Sequence, residues 1–254
     1  MRAKRMLRDS GIGFGMPAPG DLPARLDSVL ESLYLMFNEG YAATSGDALI
    51  RDDVAVEAIR LTRVLAEHPA TAAPRVWALV ALMLLHAARF PARVDSDGTL
   101  FLLRDQDRSR WDRRLIAEGM RALDRASAGD AVSADHLEAG IAACHAVAPS
   151  CDATDWPQIA GLYDELLALT RSPVVAVNRA IAVSRVEGAV SGLAALEAIA
   201  DRDAWARYPL LPAVQAELWR EAGDLERAAE CYRKALGLAR SVPERNRLAS
   251  RLAE

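Results

Sequence analysis

Two stretches near the C-terminal end of the chain repeat each other, and a chain that repeats helix-like units at a fixed interval has few ways to fold. IAGLYDELLALTRSP at 159–173 echoes AAECYRKALGLARSVP at 228–243. Ala160 aligns with Ala229, Tyr163 with Tyr232 and Leu167 with Leu236, and the Arg-Ser pairs at 171–172 and 240–241 coincide. The offset is 229 − 160 = 69 residues, which leaves room for an intermediate copy. That copy should turn at Gly188 and the last one at Gly223, 223 − 188 = 35 residues apart. A unit of this length is a helical hairpin that cannot bury its apolar face alone, so neighbours must stack.

An interval near 35 is the period of tetratricopeptide (TPR) repeats, and GDLERAAECYRKAL places Gly, Ala, aromatic and Ala where the two helices of that repeat approach closely. The expected fold is therefore all-α, a helical array ending in about three TPR-like helix pairs, with 243–254 as a charged capping helix over the last apolar face. Composition agrees. The chain is 52 % hydrophobic but only 6 % aromatic, and a core dominated by Ala and Leu suits packed helices better than sheet.

Five helices are expected ahead of the repeats. Asp21 caps the first, with Pro23 in its first turn and Leu26, Val29, Leu30, Leu33, Tyr34 and Phe37 on one face. Gly40 is placed to take the left-handed position that ends it. Asp47 opens a second, burying Val54, Ala58, Ile59, Leu61, Val64 and Leu65. A third, over about 74–89, is apolar almost all round and so belongs at the centre. A fourth covers roughly 108–126, and a fifth 133–146 with Ser133 as its cap. The organisation expected is 1–20 as a basic stub and Gly/Pro-rich linker, 21–150 as an N-terminal helical part, and 151–254 as the repeats, with 21–254 one continuous domain.

One stretch breaks the helical pattern. At 82–111, LMLLHAARFPARVDSDGTLFLLRDQDRSRW leaves an apolar helix, turns at 95–98, and passes through a segment of period two. A small β-like insert is expected near 95–103. The dense polar run that follows sets Asp105 and Asp107 on one side of an extended segment, a geometry that acid/base sites use. Arg104, Arg108 and Arg110 beside them would hold both ionised, which favours a salt-bridged structural cluster over a catalytic pair. Asn38, Glu39, Tyr41, His86, Arg89, Arg93, Gln106 and Trp111 complete the candidate cluster, as an interaction surface or a small-ligand contact.

Known chemistries find little purchase. The sequence contains no GxxxxGK[ST], no GxGxxG between a strand and a helix, and no GxSxG. Cys144 and Cys151 lack zinc-site spacing, and Cys144 and His145 point about 100° apart on a helix. We therefore expect no catalytic residues, no cofactor and no metal. An odd count of three cysteines without a framework suits reduced thiols in a cytoplasmic protein. A formal charge of −4 argues against direct nucleic-acid binding, and the longest apolar run is too short to span a membrane.

Read together, YLMFNEGY (34–41), RDDVAVEAIRL (51–61), the run at 78–113, IAACHAVAPSCDATDWPQIAGLYDELL (141–167) and SPVVAVNRAIAV (172–183) resemble one family. These stretches are similar to the C-terminal TPR-like extension of bacterial extracytoplasmic-function (ECF) sigma factors, and the likeness runs from Leu22 onward. The stub at 2–12 resembles the end of sigma region 4 and the linker behind it. No region 2 and no region 4 helix-turn-helix precede it, so the chain looks like the extension apart from its sigma core.

The resemblance implies a regulatory, protein-binding role in transcription initiation. Its implied partners are sigma regions 2 and 4 of the same factor, RNA polymerase, or a peptide or protein in the TPR groove. The alternative from another class is a small-ligand-sensing or vestigial enzymatic pocket around His86, Asp105 and Asp107.

Overall fold

The computed structural model describes residues 18–41, 50–94, 101–199, 208, 210–239 and 242–253, and every regular element among them is a helix. The first is α1 (Leu22–Tyr41), led in by a 3₁₀ turn at Pro19–Asp21. Next come α2 (Asp52–Glu67), α3 (Pro74–Ala87), the single turn α4 (Phe90–Arg93) and α5 (Arg113–Ala126). The rest are α6 (Ala134–Val147), α7 (Trp156–Thr170), α8 (Pro173–Glu187), α9 (Ala189–Glu197), α10 (Leu210–Glu221), α11 (Leu225–Leu238) and α12 (Val242–Ala253). No described helix is long and apolar enough to cross a membrane.

Helix α3 is the axis of the N-terminal half, as its all-round apolar sequence requires. Val76, Leu79, Leu82, Met83 and Leu85 are fully buried there, and α1, α2, α5 and α6 all pack on it. Beyond α6 the architecture changes. Each helix contacts mainly its neighbours in sequence, and three smaller cores follow one another: one between α6, α7 and α8, one between α8, α9 and α10, and one between α10, α11 and α12. The turns expected at Gly188 and Gly223 are both present. Their φ angles of +94° and +86° lie in the region that an L side chain resists.

Several boundaries differ from the sequence reading, each for a local reason. Gly40 does not end α1 in a left-handed conformation; it lies inside the helix, where its missing side chain admits the start of α2. A Cβ on Gly40 would stand 2.6 Å from the Ala55 backbone nitrogen and 2.9 Å from the Arg51 carbonyl oxygen. The Gly40 carbonyl also accepts the Arg51 N–H at 2.8 Å. Asp47 lies outside the described residues, and the described part of the second helix begins at Asp52. Val29 and Val64, expected inside, face solvent.

The fourth helix starts at Arg113 rather than near Arg108, because two successive carboxylates stop and restart the backbone. Asp107 accepts from the Ser109 N–H and closes a 3₁₀ turn at Arg108–Arg110; Asp112 then accepts from the N–H groups of Arg114 and Leu115 and caps α5. Of the β-like insert, residues 95–100 lie outside the described residues. Leu102 has an extended backbone, and Leu103–Asp105 form a 3₁₀ turn. The Phe101 N–H donates to the Arg93 carbonyl at 2.8 Å, so the two flanks of the insert meet.

Candidate functional site

Helix α3 runs out at Ala87, and Pro91 in the first turn of α4 keeps the next helix from continuing it. The bend turns Arg89 and Arg93 toward the end of α1. The Arg89 guanidinium donates to the Tyr41 hydroxyl at 2.6 Å and stands 2.6 Å from His86 Nδ1. Arg93 donates to the Tyr41 carbonyl and lies over the Tyr41 ring, 3.4 Å from its centroid. Phe37 and Phe90 stack against the same group, at 6.0 Å from Tyr41 and 6.4 Å from each other respectively. Burial, then the charges of Arg89, Arg93 and His145, hold the His86 imidazole well below its ordinary range, so it is neutral at pH 7.

The polar run at 105–111 alternates in and out. Asp105 and Asp107 are exposed on one side; Gln106, Arg108 and Trp111 are buried on the other. The two carboxylates therefore do share a side, and of the three arginines interleaved with them only Arg104 forms an ion pair with one of the two among the described residues. Asp107 is taken up by the Ser109 N–H and hydroxyl, at 2.9 and 2.7 Å, which hold its carboxyl below the usual range. Asp105 stands 3.8 Å from Arg104. Arg110 is exposed.

Arg108 points inward. It donates to the carbonyls of His145 and Ala148, at 2.5 and 2.8 Å, and to the Thr154 hydroxyl at 3.3 Å, with Trp111 beside it at 4.8 Å. Those carbonyls lie at the C-terminal end of α6, just as the Tyr41 carbonyl bound by Arg93 ends α1. A helix C-terminus carries about half a negative charge, and it supplies the countercharge here. Arg89, Arg93 and Arg108 are 9 %, 6 % and 7 % exposed, and among the described residues none has a carboxylate within ion-pair distance. Asn38 and Glu39 sit half-buried in the last turns of α1.

Arg104 goes the other way, toward the C-terminal helices. It donates to Glu217 of α10 at 2.8 Å and stands 3.9 Å from Glu221. Beside it lies a cavity of about 330 Å³, walled by Leu102 and Leu103 on one side and by α7, α8, α10 and α12 on the others. Trp156, Ile181, Val214 and Leu218 make its apolar lining; Asn178, Arg185 and Arg247 are among its polar groups. Among the eleven candidate residues none lines it. His86, Asp105 and Asp107 in particular stand apart from this space.

His145 also borders the cavity, its ring edge-on to Trp156 at 5.3 Å. Burial, then Arg89 and Arg108, push its pKa down to about 4. Its Nδ1 is buried with no hydrogen-bond partner among the described residues. Tyr163, on the same lining, is pushed up to about 12 by burial and then by Glu138, with Arg89 opposing. Burial alone would raise the Glu217 carboxyl; the hydrogen bond and charge of Arg104, joined by Tyr232 and Arg220, outweigh it and hold Glu217 low.

Sequence reasoning missed this space because its walls are drawn from residues 102 to 247. A signal existed in the spacing. Asn178, Ile181 and Arg185 lie on one face of α8, and Leu210, Ala213, Val214, Glu217 and Leu218 on one face of α10. The other polar candidates are structural. His136 accepts the Ser133 N–H and caps α6, Cys144 donates to the Gln158 side chain, and among the described residues no group of three or more metal-ligating side chains converges.

Residues 25–127 match a family described as a family of unknown function (DUF6596). Over 244 residues the chain is 38 % identical to an uncharacterized protein of Rhizobium meliloti (strain 1021), a similarity that takes in 96 % of this chain and 57 % of that protein. The chain thus spans little more than half the length of this relative. The family match contains all eleven candidate residues, including the three buried arginines; the helices that wall the cavity lie outside it.

Proposed function

We propose that this chain is the regulatory, protein-binding part of an ECF sigma factor, acting without catalysis or cofactor on the sigma core to which it is joined. The observation that carries the reading is the cleft bordered by α8, α10 and α12, which already holds the segment of chain at 102–104. A groove that binds its own segment through two leucines and one charge-assisted contact is chemically fitted to bind another.

The C-terminal helices are read here as TPR-like pairs: α6 with α7, α8 with α9, α10 with α11, and α12 as the cap. The support is twofold. The turns at Gly188 and Gly223 are 35 residues apart, and the cores between successive helices are local. Gly192 favours the same reading, since a Cβ there would stand 2.6 Å from the Ser184 Cβ across the α8–α9 hairpin. The partners proposed are sigma regions 2 and 4 of the same factor or RNA polymerase, rather than nucleic acid or a membrane. A cytoplasmic location follows from that role.

The cluster divides accordingly. Arg89, Arg93, Arg108 and Trp111 are buried and serve the scaffold, while the exposed pair Asp105 and Asp107, which follows the segment at 102–104, is offered to the partner. The test is calorimetry of this chain against sigma regions 2 and 4 supplied as a separate polypeptide, at several salt concentrations. Saturable binding that weakens with salt and falls on Asp105→Ala is expected. Absence of binding at every salt concentration would overturn the proposal.

A further inference from the structure

The cavity under residues 102–104 has a composition that a mere packing defect lacks. Its lining is apolar over Trp156, Ile181, Val214 and Leu218, yet Asn178, His145 and Arg247 converge on it from three separate helices. A void left by imperfect packing is lined by hydrocarbon and stays dry; a space with a few convergent polar groups in an apolar wall is the usual form of a small-molecule site.

The surrounding charge fixes the sign of the occupant. At the outer wall five arginines, Arg104, Arg185, Arg220, Arg247 and Arg251, meet three carboxylates, Asp105, Glu217 and Glu221. That network keeps a surplus of 5 − 3 = 2 positive charges. Arg247 stands 3.9 Å from Glu217, beyond hydrogen-bond distance, so this ion pair leaves its donors unspent. Behind the opposite wall lie Arg89 and Arg108, both buried and without a carboxylate among the described residues, close enough to depress His145. On that side the carboxylate that acts on Tyr163 is Glu138. It is tied to the Tyr34 hydroxyl at 2.9 Å, and its carboxyl is held above the usual range by burial. Positive potential from two sides, focused in an apolar cleft, favours an anion.

We propose that this cavity is a binding site for a small organic carboxylate with an aromatic or branched apolar body. The body lies against Trp156 and Leu218, and the carboxylate meets Arg247 and the Asn178 amide. The site stands independently of the sigma-factor reading, because neither its residues nor its test involve sigma regions.

The probes are phenylpropanoate and 4-methylpentanoate, each beside its neutral amide, titrated into the full chain by calorimetry and followed by thermal shift. Saturable binding of a carboxylate and not of its amide is expected. Arg247→Gln should weaken it about tenfold or more, the effect of removing a charged hydrogen-bonding partner. Ala213→Phe, which fills the space from α10, should abolish it, and Arg121→Gln, on the exposed face of α5, should leave it unchanged. Circular dichroism of each variant separates loss of the site from loss of the fold. The proposal is overturned if no carboxylate binds up to the millimolar range, if an amide binds as well as its acid, or if folded Ala213→Phe binds undiminished.

Discussion

Replacing Gly40 by alanine isolates the contact that holds the candidate cluster in place. In an unencumbered helix, Gly→Ala stabilises by about 1 kcal/mol through backbone entropy. At Gly40 that gain competes with a collision, because the new Cβ would sit 2.6 Å from the Ala55 nitrogen and 2.9 Å from the Arg51 carbonyl oxygen. Both are backbone atoms at the start of α2, so no side chain can swing aside. Overpacking of this kind costs about 1–3 kcal/mol, and pushing α2 away also weakens the Arg51 N–H to Gly40 carbonyl bond, worth about 1 kcal/mol. The net expectation is destabilisation by about 1–3 kcal/mol. The control is Gly161→Ala in α7, where a Cβ meets nothing within 4 Å and the propensity gain should appear alone. Urea denaturation of both variants decides the sign, and a shift of about 2–4 °C in Tm per kcal/mol is large enough to confirm it by calorimetry. If Gly40→Ala stabilises as Gly161→Ala does, then α1 and α2 do not meet as described.

Two further outcomes follow from the buried charges. Arg108→Met keeps the bulk but leaves the His145 and Ala148 carbonyls without their donor; after allowing for the removed buried charge, a loss of about 2–3 kcal/mol is expected. Arg108→Lys should recover only part of it, since one ammonium cannot span three acceptors. A midpoint for the Met variant at or above that of the parent would mean the guanidinium is a net liability. The second outcome concerns acid. The folded pKa of His145, at about 4, lies below the unfolded value near 6.5, so its contribution is present above pH 6.5 and drains away as pH falls toward 4. Between pH 7 and 5 that amounts to about 1–2 kcal/mol, and His86, also depressed, adds in the same direction. His145→Phe keeps a ring against Trp156 and should flatten the profile in paired denaturation curves; an unchanged slope would remove His145 from the account.

What the sequence disclosed, and what it hid, follows from the reach of each interaction. Helix α3 was legible because an all-round apolar run has one consistent place, and the Gly188 and Gly223 turns were legible because a fixed interval repeats a local backbone need. Gly40 was misread for the opposite reason. A glycine that ends a helix and one that admits a neighbouring backbone look alike in sequence, and only Ala55 on the next helix separates them. The run at 105–111 misled in a similar way. Arginines interleaved with aspartates suggest ion pairs, yet Arg108 found its acceptors at His145 and Ala148, on a helix end that no charge pattern advertises. The cavity was the least legible feature, because its walls are gathered from segments spread over residues 102 to 247.

The arginines of the insert explain how two halves of different character can be joined by so short a stretch. Residues 101–112 touch three separate parts of the molecule. The Phe101 and Asp112 N–H groups bond the carbonyls of Arg93 and Ala88, beside the end of α3. Arg108 binds the end of α6, and Arg104 binds Glu217 on α10. A hydrocarbon side chain in any of these places would bury area without fixing direction. A guanidinium has five donors in a rigid plane, so it sets both distance and angle between the elements it bridges. Helix-end carbonyls are its natural acceptors in the interior, because they attract the charge while leaving no second full charge to desolvate. The insert is thereby a bracket between the α3-centred array and the stacked helices. A ligand or partner seated in the groove against Arg104 would press on the same segment that carries Arg108, and so on the ends of α3 and α6.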